Sequence, residues 1–434
     1  MISISDLYNI YLKHPKIITD SRKIEEGCIF FALKGPNFNG NKYAEAALQK
    51  GAAYAVIDEP EFGSNEQCIL VSDSLTTLQQ LATFHRQHFK IPLLAITGSN
   101  GKTTTKELVN ATLSCHYKVH CTNGNFNNHI GVPLTLLDMP LDTEIAIIEM
   151  GANHVGEIDF LCDIALPTHG LITNIGKAHL EGFGGIEGVK KGKSELYKYL
   201  GRTGGMIFVN SDEEYLFDLS RKNKNKLFYR DNKNPTNETE VGILKSEPQV
   251  EATFLDLSKN EILKVNSHLM GVYNFKNIMT AIVIALHFKI PAVKIKLAVE
   301  AYQPDNNRSQ LKRKGTNVYL MDAYNANPDS MRNALNYFST IDASKKIVVI
   351  GDMLELGEYS ESEHNQMVDL AIRLNFSGIW LVGEAFAKTK QKADHLRRFK
   401  NVDELKVWYD SNSESDAHFL LKGSRGIQLE SLLD

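Results

Sequence analysis

The segment AITGSNGKTTTKE, residues 95–107, combines glycine, lysine and threonine in the way that a phosphate-binding loop requires. A standard loop of this kind has a glycine, four spacer residues and then Gly-Lys-Ser/Thr. The end of the pattern is present at residues 101–103, but Ile96 stands where the first glycine is expected, and the nearest glycine is Gly98. The sequence therefore indicates a nucleotide site built on a loop that is shorter than the standard one.

Each residue type in this loop has a separate part in holding phosphate. Gly98 and Gly101 keep side chains away from a main chain that must approach the phosphates, and Lys102 can reach their β and γ oxygens. Thr103 can place its hydroxyl on Mg²⁺. The loop follows the apolar run LLAIT and precedes a segment of helical spacing, so it lies at a helix N-terminus, where phosphate is favoured. A capped strand–helix turn with an incidental lysine is the simpler alternative, but this position and the full string TGSNGKTTT favour a nucleotide.

Two further polar residues follow apolar runs, where they can face the same ligand. Glu149 ends the run EIAIIEM, and phosphoryl transfer needs Mg²⁺ ligands near strand ends. His179 lies in the glycine-rich segment NIGKAHLEGFGG, at the edge of the sheet where ligands bind in α/β proteins. A strand-terminal glutamate is often only exposed, and a lone histidine is usually structural. The tight turn after Glu149 and the position of His179 favour a role in the site.

Apolar runs alternate with segments of helical spacing along most of the chain. Between residues 93 and 210 the alternation is regular, which predicts βαβ units and a doubly wound, mostly parallel sheet. The N-terminal part shows short strands and one clear helix, YAEAALQK, which ends at Gly51. Residues 221–240 are polar and predict an excursion loop or hairpin, and a turn-rich linker at 301–310 precedes a further alternation. We therefore predict an α/β protein of three domains, namely a small α/β domain at 1–88, a P-loop domain at 89–304 and a Rossmann-like domain at 305–434.

The composition excludes several classes of function. The 434 residues are 43% hydrophobic and 23% charged, as in an ordinary globular protein, and the formal net charge of −4 argues against a general binder of nucleic acid. No apolar run approaches the ~20 residues of a membrane span, and the N-terminal segment has no signal-peptide pattern. The five cysteines are scattered and form no CxxC pair, which favours reduced thiols over zinc or disulfides. We expect a cytoplasmic monomer without nucleic-acid or membrane partners.

Together the motifs resemble the Mur ligase family, ATP-dependent ligases that add amino acids or a dipeptide to a UDP-muramoyl precursor. The resemblance covers essentially the whole chain. TGSNGKTTTKE is similar to the family's short ATP loop, while IIEMGANHVGEI and NIGKAHLEGFG are similar to the segments carrying its Mg²⁺-binding glutamate and its histidine. KGKSELY resembles the segment whose lysine is carbamylated and bridges toward a second Mg²⁺. It matches Lys193, with Lys190 and Lys191 as alternatives and a solvated helix face as the simpler explanation of all three. The resemblance implies catalytic roles for Lys102, Glu149, His179 and Lys193, and metal binding by Thr103, Glu149, His179 and, if carbamylated, Lys193.

Three other segments resemble parts of the family's nucleotide site. GVYNFKNIMTA is similar to its asparagine motif, and DAYNANPDS to the third-domain motif whose aspartate approaches the ribose. NNRSQ is similar to its linker arginine, although Asn307 stands where the family usually has glycine. Because the arginine and the aspartate lie at or beyond the second linker, we expect the third domain to close on ATP. The residues implied in ATP binding are Gly98, Ser99, Asn100, Gly101, Lys102, Thr103, Thr104, Asn274, Asn277, Arg308 and Asp322.

The remaining motifs concern the other two substrates. TDSRKIEEGCIFFALKG resembles the UDP-binding first domain of the later ligases, which implies that Ser21 and Arg22 contact the nucleotide sugar. NGNFNNHIGVPLTLL makes Asn127 and Asn128 candidates for contact with the muramoyl peptide. DMLELGEYSESEH and LKGSRGIQLE resemble the family member that adds the dipeptide D-alanyl-D-alanine.

The resemblance implies amide formation through an acyl phosphate. ATP would activate the carboxylate of UDP-N-acetylmuramoyl-tripeptide, and the amine of D-alanyl-D-alanine would attack it, giving the UDP-MurNAc-pentapeptide of peptidoglycan synthesis and hence of cell wall, shape and division. The first domain would bind the UDP-muramoyl end and the third the dipeptide. The family member that adds the third amino acid is one alternative, although the sequence has no Asp-Asn-Pro motif. Folylpolyglutamate synthase is not favoured, because it lacks this first domain. A P-loop ATPase that acts as a conformational switch is an alternative from another functional class.

Overall fold

The structure, a computed structural model, describes residues 2–304 and 308–433. Its strands form three larger sheets, of four, nine and six strands, and one two-stranded hairpin. Helices alternate with these strands, which confirms the predicted α/β class. The predicted start of the third domain, at residue 305, lies outside the described residues.

The first sheet belongs to the N-terminal part of the chain. Its elements are α1 (Ile4–Lys13), β1 (Ile17–Ile18), β2 (Ile29–Phe31), β3 (Lys34–Gly35), β4 (Phe38–Asn39), α2 (Ala44–Gln49), β5 (Tyr54–Ile57), β6 (Cys68–Leu70) and α3 (Ser74–Gln87). The order β1-β2-β5-β6 is parallel throughout, and β3 and β4 form the hairpin. The prediction of one clear helix here was wrong, because α1 and α3 are also helical. Each buries only one face, such as Leu7 and Tyr11 in α1, and leaves its other side chains at or near the surface.

The second sheet is the largest and contains the phosphate-binding loop. Its elements are β7 (Leu93–Thr97), α4 (Lys102–Ser114), β8 (Val119–Cys121), α5 (Gly131–Leu137), β9 (Ile145–Glu149), α6 (Glu157–Ala165), β10 (His169–Ile172), α7 (Leu180–Phe183), α8 (Ile186–Thr203), β11 (Met206–Asn210), α9 (Glu214–Leu219), β12 (Lys226–Asp231), β13 (Glu240–Lys245), β14 (Glu251–Asp256), β15 (Glu261–Asn266), α10 (Val272–His287) and α11 (Ala292–Ala301). The strand order is β15-β14-β13-β12-β11-β10-β7-β9-β8.

The buried strand β7 lies between β9 and β10 and is parallel to both. The chain continues from β7 to β9 on one side of it and to β10 on the other, so the strand order reverses at β7. A crevice opens at such a reversal, outside the carboxyl ends of the strands. The loop after β7, the end of β9 and the segment after β10 therefore meet at one place.

The expectation of a loop or hairpin at residues 221–240 was wrong in part. Strand β12 lies within this segment and pairs with β11 in parallel, extending the sheet. Of the side chains of β12 only Tyr229 is buried, so its sequence is polar although its backbone pairs within the sheet. The strands that follow, β13 to β15, pair antiparallel to one another.

The third sheet has the order β16-β17-β21-β18-β19-β20, in which only β16 and β17 are antiparallel neighbours. Its elements are β16 (Gln310–Lys314), β17 (Asn317–Met321), α12 (Pro328–Thr340), β18 (Lys346–Gly351), α13 (Ser360–Arg373), β19 (Gly378–Val382), α14 (Glu384–Ala387), β20 (Leu396–Phe399), α15 (Val402–Ser411) and β21 (His418–Lys422). Short 3₁₀ turns occupy Gly40–Tyr43, Pro60–Phe62, Gly357–Tyr359, Arg425–Ile427 and Leu429–Leu433. Within the described part of the chain, no helix is both long and apolar enough to cross a bilayer.

Candidate functional site

A cavity of about 700 Å³ lies where the carboxyl ends of the second and third sheets face each other. Glu149 ends β9, Asp322 follows β17, and Lys422 ends β21, and all three line it. The cavity also brings together most of the residues predicted from the sequence. These are Ser99, Asn100, Gly101, Lys102, Thr103, Thr104, Asn127, Asn128, Glu149, His179, Asn274, Asn277, Arg308 and Asp322.

The short loop after β7 is held from the side by the chain that follows β10. Thr173 donates from its hydroxyl to the carbonyl of Asn100 at 2.6 Å, and the side chain of Asn174 bonds both the N–H and the carbonyl of Asn100. The carbonyl of Asn174 accepts the N–H of Ser99 at 3.0 Å. Gly98 has φ +143°, and a Cβ there would lie 2.0 Å from the Thr173 hydroxyl. The main chain is thus fixed close to its neighbour, and only glycine fits at residue 98.

We expect Gly98→Ala to lower the free energy of unfolding by about 2 kcal/mol, because it adds both a clash and backbone strain. Binding of an ATP analogue, measured by calorimetry, should weaken with it. Gly204→Ala is the matched control: Gly204 also has positive φ, +77°, but open space around its Cβ. That variant should lose less stability in urea denaturation and bind the analogue normally. Normal binding by Gly98→Ala would contradict the proposed loop geometry.

Helix α10 supports the other glycine of the loop. Gly101 caps α4 with φ +78°, and a Cβ there would lie 2.6 Å from Oδ1 of Asn277. Asn277 accepts a hydrogen bond from Thr105 at 3.1 Å and donates to Asn274 at 3.0 Å. Asn274 in turn donates to the carbonyl of Met270 at 2.8 Å. The two predicted asparagines therefore form a buried network that positions the start of α4.

Lys102 lies in the mouth of this loop. Its Nζ donates to the carbonyl of Gly98 at 2.7 Å and approaches that of Ser99 at 3.4 Å. Burial lowers the pKa of Lys102, the Glu149 carboxylate opposes this effect, and the Arg308 guanidinium adds to it. A phosphate anion at this position would stabilise the ammonium form and replace the carbonyl contacts.

Glu149 is almost fully buried, with 2% of its surface exposed. Its N–H donates to the hydroxyl of Thr122 at 2.9 Å, and its Oε1 accepts from Asn127 at 2.8 Å. Its Oε2 is buried without a hydrogen-bond partner among the described residues. A buried carboxylate oxygen without a hydrogen-bond partner is suited to binding a cation, because the cation compensates for the missing partner.

His179 also lines the cavity, and its backbone has φ +52°. Its Nδ1 is hydrogen-bonded to the carboxylate of Glu355, in the loop after β18. This bond lowers the pKa of Glu355, against a smaller opposing effect of burial. In residues 2–304 and 308–433, no group of three or more His, Cys, Asp or Glu side chains lies close enough to hold a metal ion. Of the predicted metal ligands, Thr103, Glu149 and His179 line one cavity, but they do not form a cluster of that kind.

The three candidate lysines of α8 have different surroundings. Lys193 is 1% exposed, and its Nζ donates to the carbonyl of Ala152 at 3.1 Å, behind the cavity wall. Lys190 pairs with Glu187 at 2.7 Å, and Lys191 is exposed. Burial lowers the pKa of Lys193 well below its usual value, the Lys102 cation adds to this, and nearby glutamates oppose it. Only Lys193 has an amine that is both enclosed and shifted toward its neutral form.

The third sheet contributes the opposite wall. Arg308 lies over the ring of Tyr324 with Cζ 3.8 Å from the ring centroid, and its Nε is buried without a partner among the described residues. Asp322 accepts a hydrogen bond from Lys422 at 2.7 Å. Arg308 and Asp322, which belong to different segments, thus face the phosphate-binding loop across one cavity.

Four predicted residues lie outside the cavity lining, and the side chain of one that lines it has a structural role. Ser21 and Arg22 are in the first sheet's part of the chain, where the exposed Arg22 pairs with Asp20 at 2.8 Å. Asn128 lines the cavity, but its side chain caps the start of α5 by accepting the N–H groups of residues 130 and 131. Gly98 and Lys193 lie behind the lining.

Several contacts were missed because they depend on the packing of the two walls. Asn327 donates to Asn100 at 2.7 Å, which joins the third sheet's side to the phosphate-binding loop. Lys177 donates its N–H to Asp329 at 2.7 Å and pairs with Glu363 at 2.5 Å. Asn327 belongs to the motif DAYNANPDS, so the sequence did contain a signal for this residue. The charged pairs join segments far apart in sequence and had no local signal.

Comparison with known proteins agrees with this geometry. Three family models match the chain, described as "Mur ligase family, catalytic domain" over residues 16–86, "Mur ligase middle domain" over 96–285 and "Mur ligase, glutamate ligase domain" over 307–425. The UDP-N-acetylmuramoyl-tripeptide–D-alanyl-D-alanine ligase of Bacillus subtilis is 33% identical over 427 residues, covering 96% of this chain and 92% of that protein. The ligase of the same name from Escherichia coli is 30% identical, with the same two coverages.

Solved structures give the same result. The crystal structure of MurF from Acinetobacter baumannii matches with a TM-score of 0.86 and 29% identity, covering 99% of this chain and 97% of that one. MurF ligase from Thermotoga maritima in complex with ADP matches with a TM-score of 0.83 and 25% identity, covering 100% and 97%. With relatives this similar along nearly their whole length and family models over all three sheets, the chain belongs to the Mur ligase family.

Proposed function

We propose that the protein joins D-alanyl-D-alanine to UDP-N-acetylmuramoyl-tripeptide in an ATP-dependent reaction that passes through an acyl phosphate. The observation that carries the proposal is one cavity in which the phosphate-binding loop, the buried Glu149 and the third-sheet residues Arg308 and Asp322 meet. Relatives that match along nearly the whole chain are named for this activity. The product is the UDP-MurNAc-pentapeptide of peptidoglycan synthesis.

The first step is phosphoryl transfer to a carboxylate. An oxygen of the tripeptide carboxylate attacks the γ-phosphorus of ATP, the bond from that phosphorus to the β–γ bridging oxygen breaks, and ADP leaves. Two anions must approach each other, so positive charge is needed between them. Lys102 and the N–H groups at the start of α4 supply it from the loop.

The buried Oε2 of Glu149, which has no hydrogen-bond partner among the described residues, fits a bound Mg²⁺. Glu149 would hold it through this oxygen, with Thr103 and, if carbamylated, Lys193. His179 would bind through Nε2, because the Glu355 carboxylate on Nδ1 fixes the ring orientation and the tautomer, as carboxylates do for metal-binding histidines. When bound, the metal offsets negative charge on the transferred phosphoryl group. The lowered pKa of Lys193 supports carbamylation, since CO₂ reacts with the neutral amine.

The second step forms the amide. The amine of the dipeptide, with a reference pKa of ~8, loses a proton before it attacks. Its nitrogen then bonds to the carbonyl carbon of the acyl phosphate, and inorganic phosphate leaves. Water would hydrolyse this intermediate, so the walls must enclose it. The contact between Asn327 and Asn100 supports closure of the third domain on the ATP loop.

We propose that each of the three parts of the chain binds a different substrate. Residues 1–88 bind the UDP end, residues 89–304 bind ATP, and residues 305–434 bind the dipeptide. The hydrogen bond from Asn127 to Glu149 supports contact between the segment of Asn127 and the muramoyl peptide, because it places that segment beside the proposed metal ligand Glu149. We propose a monomer that acts in the cytoplasm, where its free cysteines stay reduced.

The proposal is tested by mixing the protein with ATP, Mg²⁺, UDP-muramoyl-tripeptide and D-alanyl-D-alanine and following the products by mass spectrometry. We expect the pentapeptide and one ADP for each new amide. A parallel reaction with a diamino acid and the UDP-muramoyl-dipeptide tests the ligase that adds the third residue. Phosphate release that is independent of the dipeptide, with no new amide, would contradict the ligase and favour an ATPase switch.

A further inference from the structure

The guanidinium groups of two arginines lie over the ring of Tyr324, which lines the cavity. The Cζ of Arg308 lies 3.8 Å from the ring centroid, and the Cζ of Arg425 lies 5.1 Å from it. No carboxylate of the described residues forms a salt bridge with either arginine, and Nε of Arg308 is buried without a partner there. Two cations over one ring, without an acidic side chain paired to either among the described residues, indicate a place for anionic ligands.

The backbone beside Arg425 is fixed, although its side chain is exposed. Ser424 is 3% exposed, donates its N–H to the carbonyl of Asp352 at 3.1 Å, and accepts the N–H of Leu354 at 3.0 Å. The N–H of Ile427 donates to the carbonyl of Ser424 at 2.9 Å. The guanidinium therefore extends from a rigid turn, which reduces the entropy lost when it binds a ligand.

Other cations of the cavity lining already have partners. Lys422 pairs with Asp322, and Lys276 pairs with Glu213 at 2.6 Å. Lys102 and Arg308 are the groups that the proposed function assigns to the nucleotide. Arg425 remains without an acidic partner among the described residues, at the edge of the wall formed by the third sheet.

We propose that Arg425, supported by Tyr324, binds the terminal carboxylate of the incoming dipeptide, an inference that rests on the proposed function. The dipeptide carries one carboxylate, at the end opposite its reacting amine. An extended dipeptide spans ~7 Å, so this carboxylate must lie away from the phosphates, at the cavity edge. A guanidinium binds a carboxylate through two parallel hydrogen bonds, which makes it selective for a free acid over a neutral amide.

The test compares steady-state kinetics of the wild type, Arg425→Met, Arg425→Lys and Arg397→Met, with D-alanyl-D-alanine and with its C-terminal amide. Arg397 is the matched control, because it is an exposed arginine over Trp408 in the same domain, with Cζ 4.9 Å from the ring. For Arg425→Met we expect KM for the dipeptide to rise about 30-fold, with KM for ATP and for the UDP-substrate unchanged. Arg425→Lys should recover part of this loss, and Arg397→Met should match the wild type.

The amide separates a binding role from a structural one. The wild type should use the amide about 30-fold less well than the acid, and Arg425→Met should use both equally. Equal use of acid and amide by the wild type, or an unchanged KM for the dipeptide in Arg425→Met, would overturn this inference and leave the ligase function intact. If Arg425→Met raised KM for ATP and not KM for the dipeptide, Arg425 would be assigned to the nucleotide, which would also overturn this inference. A wild type that forms no amide with the dipeptide would overturn the proposed function itself.

Discussion

Replacing Lys102 by alanine is expected to lower kcat for amide formation by about a thousandfold, which corresponds to about 4 kcal/mol of transition-state stabilisation. Its Nζ lies among the loop carbonyls, with the Glu149 carboxylate and the Arg308 guanidinium near enough to affect its pKa. The other lysines of the cavity lining, Lys276 and Lys422, are paired with Glu213 and Asp322, so the charge on the transferred phosphoryl group would lose its main side-chain partner. Single-turnover measurement of ADP release shows whether the loss lies in the phosphoryl-transfer step.

The same variant should remain folded. Because burial lowers the pKa of Lys102, the folded chain binds this proton more weakly than the unfolded chain does. The site therefore adds stability only as pH rises through the lowered pKa toward the normal value, and at lower pH the buried ammonium weakens the fold. Its removal should change the free energy of unfolding at neutral pH by less than ~1 kcal/mol. Lys118→Ala, at an exposed lysine paired with Asp142, is the activity control. A normal kcat in Lys102→Ala would exclude the assigned role of the loop.

The parts of the fold that were predictable are those in which local pattern and burial coincide. Strand β7 is buried at all five positions, and so is β9, so both stood out as apolar runs. Strand β12 did not, because only Tyr229 of its side chains is buried. What makes it a strand is parallel pairing with β11, a contact that no periodicity within the segment records.

The candidate site likewise contains residues that were predictable from the sequence and contacts that were not. Lys102 and Glu149 were predictable, because they lie after and at the carboxyl end of apolar strands, where α/β sheets bind ligands, whereas Asp322 was implied by the family resemblance alone. Their partners were not, since a hydrogen bond such as that from Lys422 to Asp322 joins residues a hundred positions apart. The requirement for glycine at residue 98 is explained by Thr173, whose hydroxyl leaves no room for a Cβ there. The short loop is thus supported by a neighbouring strand end that the sequence pattern could not connect with it.

Replacing Lys193 by alanine is expected to lower kcat by about 300-fold, with the protein still folded. The Nζ of this lysine lies behind the cavity wall, at 3.1 Å from the carbonyl of Ala152, and burial holds its pKa well below the usual value. A neutral buried amine is suited to carbamylation, and the resulting anion would reach toward the metal that Glu149 is proposed to bind. Circular dichroism and urea denaturation check the fold, because truncation of this buried side chain removes its contact and also leaves a cavity that lowers the free energy of unfolding.

Chemical rescue distinguishes a carbamate from a structural lysine. Truncation of a side chain that is 1% exposed leaves a buried space, and acetate or propionate can place a carboxylate there. We expect either acid to restore a substantial part of kcat in Lys193→Ala, with saturation at high concentration, while formamide of similar size has no effect. Lys190→Ala is the control on the same helix, since Lys190 pairs with Glu187 at the surface, and it should be neither impaired nor rescued. Normal activity of Lys193→Ala would rule out a carbamate at this residue, and an impaired Lys190→Ala that is rescued by acetate would assign the carbamate to Lys190 instead.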